Sequence, residues 1–370
     1  MSVPAKELTA LVEEYAPVRL AEPWDRVGWQ LGDPRSPVAR IVLTLDVHRE
    51  VVEESGAGDL IVAHHPLFFQ PLSHVRLDEA RGRLVAACLA KNIGVYAAHT
   101  NLDRAPAGVT AVLARELGLA GGVALGCQDA GGYLKLAVFV PVSHLEPVRE
   151  ALWAAGAGAV GAYDQCSFAV TGTGTFRPGP STSPFLGQEG RLAEVAEARL
   201  ETIVPFHRVA AVIEAMRRAH PYEEVAYDLY ALQNDFARPG LGRLGSLPEA
   251  VPLAALARRV KSVVAADGVR YGGPQEMPVQ KVAVAGGSGG SLWREARARG
   301  ADVLVTGEVK YHEGQDMLAE GLAFVEAGHA ATERVVLPAL ASFLKERCRE
   351  KNWPVEVRLA GHQDEPFRYL

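Results

Sequence analysis

Apolar and polar positions alternate in three stretches of different texture along the chain. In the first third, three short apolar runs at 41–45, 60–63 and 95–98 predict strands. Each run is followed by a polar turn and then by helical spacing, at 49–55, 81–92 and 108–117. Strands that alternate with helices predict an α/β fold with a mostly parallel sheet flanked by helices.

The last third repeats this alternation. Runs at 282–285, 302–306 and 323–326 predict strands, residues 292–299 and 313–321 predict helices, and 355–359 predicts a closing strand. A further helix reaches about residue 349. Proline is tolerated only in the first turn of a helix, so Pro338 places the start of that helix near Glu333. We then expect His329 to lie in the preceding loop.

The middle third contains a duplication. Pro141 and Ala162-Tyr163-Asp164 recur 64 residues later as Pro205 and Ala226-Tyr227-Asp228. Each copy predicts strand, helix and strand, at 134–140, 145–154 and 167–175, then at 200–204, 209–219 and 225–232, with a loop over 173–190. Two βαβ copies predict a ferredoxin-like α+β domain. We place it at 126–243, inserted between the halves 1–125 and 244–370 of one discontinuous α/β core.

Composition narrows the class of protein. The 370 residues exceed the ~100 to 200 of one domain, and 48% hydrophobic with 22% charged residues is typical of a folded chain. The formal charge of −6 and the absence of a basic run argue against a nucleic-acid partner. No signal-peptide layout and no apolar stretch of ~18 residues is present, so we expect a cytoplasmic protein without a membrane partner. The four cysteines lie far apart, which argues against structural zinc and disulfides.

His64-His65-Pro66 is the strongest local signal for chemistry. Neighbouring side chains in a strand point to opposite faces, so both imidazoles converge only where the strand ends, and Pro66 indicates that it ends there. Ligands of open α/β sheets bind at the carboxyl ends of the strands. The alternative is one buried and one exposed histidine without a function.

Two further clusters follow predicted strands at the same edge. They are His99-Thr100-Asn101-Leu102-Asp103 and His329-Ala330-Ala331-Thr332-Glu333. Taken singly, Asp103 is more often a helix cap and His329 a loop residue. Together with the histidine pair, they supply the mixed imidazole and carboxylate donors that suit Zn, Mn, Fe(II), Co or Ni. Four or five ligands exceed the needs of one tetrahedral zinc, and two ions sharing a bridging carboxylate would use them all.

Weaker motifs leave alternatives open. Gly240 to Gly245 matches G-x-G-x-x-G, but Arg238-Pro239 precedes it where a dinucleotide fold needs a strand, so we interpret it as a hinge. The glycines from Gly286 to Gly290 either cradle a phosphate or form a plain turn.

Three other groups could serve a site or the fold. Glu308 and His312 are either partners of the ligands and proton carriers or structural residues. His220-Pro221-Tyr222-Glu223-Glu224 either binds a small ligand between subunits or forms a helix end followed by a turn.

The chain resembles the Nif-three-like dinuclear metal-centre family, often labelled GTP cyclohydrolase I type 2 homologues. The motifs that carry the resemblance are Trp24-Asp25-x-Val27-Gly28-x-Gln30-x-Gly32, His64-His65-Pro66, His99 to Asp103, Gly307-Glu308-x-Lys310-Tyr311-His312, and Gly328-His329-x3-Glu333-Arg334. The middle third resembles the PII-like or CutA-like insert of the longer bacterial members.

The resemblance implies metal ligands at His64, His65, Asp103, His329 and Glu333, with Glu333 as the bridge between two divalent ions. It also implies a homo-oligomer, a ring-shaped hexamer whose metal sites face an inner cavity. We expect a metal-dependent hydrolase that is GTP cyclohydrolase-like or acts on phosphoesters, in which His99 or His312 moves protons. The alternative is a non-catalytic regulatory or scaffold ring whose insert senses a small-molecule or nucleotide ligand.

Overall fold

A computed structural model describes residues 3–127, 132–161, 163–232, 239–362 and 365–368. The chain divides into two units by its internal contacts. The first combines Met1–Cys127 with Pro239–Leu370, and the second is Gln128–Arg238. None of the helices within these described ranges is long and apolar enough to cross a membrane.

The first unit contains a five-stranded sheet made of β2 (Gly28–Leu31), β4 (Arg40–Thr44), β5 (Leu60–Ala63), β6 (Gly94–Ala97) and β17 (Glu356–Leu359). The strand order is β17-β4-β5-β6-β2, parallel except for β2 at the edge. All four residues of β5 are buried, as expected of a parallel strand covered on both faces. A short ribbon pairs β1 (Val3–Pro4) with β3 (Pro37–Val38).

A second sheet of this unit has six strands: β7 (Ala120–Cys127), β12 (Gly240–Pro252), β13 (Arg270–Gly272), β14 (Pro278–Ala285), β15 (Val303–Thr306) and β16 (Ala323–Glu326). Its order is β13-β16-β15-β14-β12-β7. The pairings of β14 with β15 and of β15 with β16 are parallel, and the other three pairings are antiparallel. The prediction of mostly parallel sheets is therefore wrong for this sheet, which is mixed.

The Gly240 to Gly245 motif lies inside β12, so it is neither a hinge nor a dinucleotide-binding loop. The glycines permit close packing in the antiparallel ladder with β7. A Cβ atom at Gly240 would lie 2.3 Å from the Leu125 carbonyl oxygen. Both strands are poor in β-branched residues, and pairing in the tertiary structure outweighs that local preference.

The described part of the first unit has ten α-helices beside its two sheets: α1 (Ala5–Tyr15), α2 (Arg49–Glu54), α3 (Ala80–Ala90), α4 (Thr100–Arg104), α5 (Val109–Glu116), α8 (Leu253–Val263), α9 (Trp293–Ala298), α10 (Tyr311–Ala319), α11 (His329–Arg334) and α12 (Val336–Glu350). Ile41 and Leu43 on one face of β4 pack in a core with residues of α1 and α12. Val42 on the opposite face packs with residues of α2 and α3. Helices therefore bury both faces of the sheet.

The helix boundary near Glu333 differs from the prediction. α11 already begins at His329, after Gly328 with a φ of 88°, and Glu333 lies within it. Pro338 does occupy the first turn of a helix, but that helix is α12, a separate element that starts at Val336. The proline argument thus identified a real helix start and missed the short helix before it.

The second unit has the element order expected from the duplication: β8 (Tyr133–Pro141), α6 (Leu145–Ala154), β9 (Ser167–Phe176), β10 (Ala193–Pro205), α7 (Val209–Ala219) and β11 (Tyr227–Ala231). Its antiparallel sheet has the order β11-β8-β10-β9, with two helices, as in ferredoxin-like domains. Leu136, Val138 and Val140 alternate along β8 into a core completed by both helices.

Because this core is internal to the second unit, we expect a fragment comprising Gln128–Arg238 to unfold cooperatively when expressed alone. Leu136→Ala should lower its free energy of unfolding by about 2–5 kcal/mol, since Leu136 is completely buried. The measurement is thermal and urea unfolding followed by circular dichroism. Leu192→Ala, at a side chain that is 68% exposed, is the matched control and should change stability little. A fragment without a cooperative transition would contradict the independence of this unit.

Candidate metal centre

Two adjacent histidines follow β5. Their backbone N–H groups continue the pairing with the end of β4, His64 to the Thr44 carbonyl at 3.0 Å and His65 to the Leu45 carbonyl at 2.8 Å. The two rings nevertheless lie on the same side, with centroids 4.9 Å apart. The His64 side chain is completely buried, and that of His65 is 23% exposed.

The next parallel strand, β6, leads into His99 and α4, which contains Asp103. The carboxylate of Asp25 holds this corner, because it accepts hydrogen bonds from His99 Nδ1 at 2.9 Å and from the Thr100 backbone N–H at 3.0 Å. Burial raises the pKa of Asp25, but the hydrogen bonds from His99 and Thr100 outweigh this effect and lower it to about 2. Asp25 is therefore a stable anion that orients His99.

The third group comes from α11, where His329 and Glu333 lie one helical turn apart. The distance from His329 Nε2 to Glu333 Oε1 is 3.0 Å. The turn after β14 leaves room for this carboxylate because Gly287 has no side chain. A Cβ atom there would lie 2.0 Å from Glu333 Oε1. Gly287, with a φ of 56°, donates its N–H to Thr332 Oγ1 at 3.0 Å. The 286–290 loop is thus a tight turn that lies next to Glu333.

Glu333 is the centre of the cluster. Its Oε2 lies 3.1 Å from His65 Nε2, and its Oε1 lies 3.8 Å from His64 Nε2. His64 Nε2 also lies 3.6 Å from Asp103 Oδ1. Burial raises the pKa of Glu333, but the neighbouring imidazoles of His64 and His329 hold it well below its usual range. The carboxylate therefore remains charged in the interior.

Each of the four imidazoles uses Nδ1 for a partner at 2.9 Å. The acceptors are the Ala98 carbonyl for His64, Asp46 Oδ1 for His65, Asp25 Oδ1 for His99 and Glu308 Oε1 for His329. This pattern fixes the tautomers and leaves the Nε2 atoms free to act as ligands. It is the arrangement that metal-binding histidines commonly have.

Two buried polar atoms of the centre fit a cation. His64 Nε2 has no hydrogen-bond partner, and Glu333 Oε2 has no well-aligned hydrogen bond, although it lies 3.1 Å from His65 Nε2. Buried polar atoms without partners are rare and costly in folded proteins, and a metal ion would satisfy both. Burial lowers the pKa of His65, but the carboxylates of Asp46 and Glu333 raise it to about 10, so a metal ion would take the place of a proton on this imidazole.

Three overlapping sets of ligand atoms lie close enough to hold metal. They are His65, His329 and Glu333; His64, Asp103 and Glu333; and His64, His65 and His99. The structure thus brings together all five predicted ligands and His99. His312 is exposed on α10, contacts the ring of Tyr311, and belongs to none of the sets found among the described residues. Glu308 contacts His329, which agrees with its interpretation as a partner of the ligands.

Sequence reasoning did not single out Asp46 and Asp25 as partners of the ligands. Asp46 follows β4 closely, so the same argument about strand ends that identified His64 could have included it. Asp25 is distant in sequence from His99, and only the folded chain shows that the two meet.

The chain belongs to the Duf34/NIF3 (NGG1p interacting factor 3) family, whose model matches residues 3–366. It is 40% identical over 371 residues to a Bacillus subtilis protein named GTP cyclohydrolase 1 type 2 homolog, covering 100% of this chain and 99% of that protein. A Halalkalibacterium halodurans protein of the same name is 40% identical over 363 residues, covering 97% of each chain.

Solved structures show the same fold over the full length. A Bacillus cereus protein related to NIF3 is 40% identical and superimposes with a TM-score of 0.79, covering 100% of both chains. A Staphylococcus aureus protein is 26% identical with a TM-score of 0.81, covering 100% of this chain and 99% of that one. The predicted family is confirmed.

Asp46→Asn should weaken metal binding, because an amide accepts a weaker hydrogen bond from His65 Nδ1 and no longer enforces its orientation. We expect Zn²⁺ affinity to fall about 10- to 100-fold, measured by competition with a chromophoric chelator. Asp267→Asn, at an exposed aspartate remote from the cluster in sequence, is the matched control. Equal affinity in the two variants would mean that Asp46 does not support the ligand.

Proposed function

We propose that this protein binds two divalent ions that share the Glu333 carboxylate. One ion would be held by His65, His329 and Glu333, and the other by His64, Asp103 and Glu333. The observation that carries this proposal is that the two carboxylate-containing sets of ligand atoms have Glu333 in common. Mixed imidazole and carboxylate donors favour Zn, Mn, Fe, Co or Ni over Ca or Mg.

We further propose that the centre serves a metal-dependent hydrolase. Divalent ions supply Lewis-acid chemistry, acidify water and stabilise negative charge that develops on a substrate. His99 is the candidate proton carrier, since its ring centroid lies 5.2 Å from that of His64 and 5.5 Å from that of His65. Asp25 holds its Nδ1, which leaves Nε2 available for proton transfer. His312, by its position, has weaker support.

A cavity next to the centre favours an anionic substrate. It has a volume of about 730 Å³, and His65 and Asp46 form part of its wall. Four basic side chains also line it: Arg49, Arg81, Arg83 and Lys91. Such a surface attracts phosphate groups.

Three of these cations already have partners. Arg49 pairs with Glu53, Arg83 donates to the Asp78 carbonyl at 2.8 Å, and Lys91 donates to carbonyls that include that of Val52 at 2.7 Å. The Arg81 side chain has no hydrogen bond or ion pair with any other described residue, so it is the cation best able to bind a substrate phosphate.

The basic side chains of the cavity support phosphoester hydrolysis. None of the described residues that line the cavity is Phe, Tyr or Trp, and the rings of Trp24 and Phe69 lie instead beside His99, with centroids 6.2 Å and 6.0 Å from that of its imidazole. The name GTP cyclohydrolase 1 type 2 homolog belongs to the relatives and motivates GTP as one substrate to test.

The regulatory alternative rests on the second unit. Its ferredoxin-like topology supports the PII-like or CutA-like resemblance, and such a unit would sense a small ligand within a hexameric ring. Absence of turnover in metal-loaded protein would favour this alternative.

Glu333→Gln should reduce the metal content from two ions per chain to one or none. The amide keeps the size of the side chain, but it removes a negative charge shared by both ions. The measurement is elemental analysis of protein loaded with Zn²⁺ or Mn²⁺ and then desalted.

Glu249→Gln, an exposed change of the same kind, should retain both ions, as should His74→Gln and His144→Gln. If Glu333→Gln kept two ions and only its melting temperature fell, the carboxylate would be a structural group and the shared-ligand proposal would fail.

Arg81→Gln tests the substrate class. With metal-loaded protein and a panel of phosphoesters that includes GTP, we expect KM to rise about tenfold with little change in kcat, as for a lost contact to phosphate of about 1.4 kcal/mol. Arg258→Gln, at an exposed arginine on α8, is the matched control. An unchanged KM for Arg81→Gln would contradict phosphate binding in this cavity, and a panel without metal-dependent turnover would contradict the hydrolase.

A further inference from the structure

The second unit has a cavity of its own, independent of the metal centre. Its volume is about 310 Å³, within the range of small-molecule sites. The rings of Phe176, Phe185 and Tyr222 line it, with Phe176 and Phe185 centroids 5.9 Å and 6.4 Å from that of Tyr222. The aromatic residues belong to β9, the 177–192 loop and the segment after α7.

The feature that makes this cavity specific is a buried carboxylate. Glu197 on β10 is 9% exposed and lines the cavity. Its Oε1 accepts a hydrogen bond from the Tyr222 hydroxyl at 2.9 Å. Its Oε2 has no hydrogen-bond or ion-pair partner among the described residues. Glu197 is thus nine-tenths buried, with one oxygen that faces no cation of the described residues, and a cationic ligand in the cavity would pair with it.

The neighbouring strand leaves room for this oxygen. A Cβ atom at Gly174 on β9 would lie 1.9 Å from Glu197 Oε2, so the absence of a side chain there lets the carboxylate lie across the neighbouring strand. Burial and the hydrogen bond to Glu197 raise the pKa of Tyr222, so its hydroxyl stays a donor. Oε1 is therefore occupied and Oε2 is the atom left for a ligand.

His220 is a structural residue beside the cavity. Its Nε2 donates to the Phe139 carbonyl at 3.0 Å, and its Nδ1 accepts from the Tyr222 backbone N–H at 3.1 Å. In the 220–224 segment, His220 therefore agrees with the interpretation as a helix end, whereas Tyr222, Glu223 and Glu224 line the cavity.

The charges around the cavity are mainly negative. Glu223 and Glu224 lie at its exposed rim, and Glu223 also anchors the 177–192 loop by accepting from the Ser183 N–H at 3.0 Å. Arg177 is the basic residue among the described lining, and it is exposed, so water screens it from the buried Glu197.

We propose that this cavity binds the primary ammonium group of a small amine, with Glu197 Oε2 as the hydrogen-bond acceptor and with the rings of Phe176, Phe185 and Tyr222 around its apolar body. An ammonium group near aromatic faces gains cation–π attraction in addition to its charge-assisted hydrogen bond. One free carboxylate oxygen suits a single N–H donor better than a guanidinium, which binds two oxygens side by side. The site depends on neither the metal ions nor the hydrolase.

The test is calorimetric titration of the full-length protein with phenethylammonium and with its uncharged analogue 2-phenylethanol. We expect the amine to bind at least about tenfold more tightly than the alcohol, a difference of about 1.4 kcal/mol. Glu197→Gln keeps the size of the side chain and its hydrogen bond from Tyr222, and it should abolish this preference. Glu194→Gln, an exposed glutamate on the same strand, should preserve it.

Gly174→Ala provides a second variant that keeps every charge. Its methyl group displaces Glu197 Oε2, so affinity for phenethylammonium should fall at least about tenfold while affinity for 2-phenylethanol changes less. This variant decides the matter if Glu197→Gln fails to fold, as judged by its melting curve. Equal binding of amine and alcohol, no detectable binding of the amine, or unchanged amine affinity in the folded Glu197→Gln or Gly174→Ala protein would overturn the proposal.

Discussion

The charge of Glu333 is the constraint on which the first unit depends. This side chain is 4% exposed, and a carboxylate in that position must be compensated by cations or hydrogen bonds. The compensation comes from His64, His65 and His329, which approach it from two separate elements. Small shifts of β5 or α11 would leave a buried charge unpaired, so the ends of these elements are fixed relative to one another. The same convergence creates the candidate metal site.

The centre also requires both halves of a discontinuous unit. His64, His65 and Asp103 precede the second unit in sequence, whereas His329 and Glu333 follow it. The chain leaves the first unit at the end of β7 and returns at the start of β12, where Cys127 pairs with Gly240. Since the exit and the return lie side by side in one antiparallel ladder, the first unit keeps a continuous sheet despite the interruption.

The second unit differs from the first in its core and in its buried carboxylate. Its core is formed by its own strands and helices, and its buried carboxylate, Glu197, has chemistry unrelated to that of the metal centre. Glu333 is surrounded by imidazoles whose Nε2 atoms face it, which suits a metal ion. Glu197 is surrounded by aromatic rings and one hydroxyl donor, which suits an organic cation. The neighbours of each carboxylate therefore decide which kind of positive charge it can accept.

The sequence alone predicted the elements with strong periodicity and the residues of the candidate metal centre that the structure brings together. The runs that became β4, β5 and β6 are apolar on both faces, and the duplicated pattern of the second unit sets its order of strands and helices. Because parallel strands end at one edge, the residues that follow β5 and β6 could be expected to meet. Only the tertiary structure decided the rest. Strands β7 and β12 have weak local preferences and exist because they pair with each other and with β14. The partnerships of Asp25 with His99 and of Asp46 with His65 join segments distant in sequence. No local pattern encodes them, since such contacts arise only when the whole fold brings those segments together.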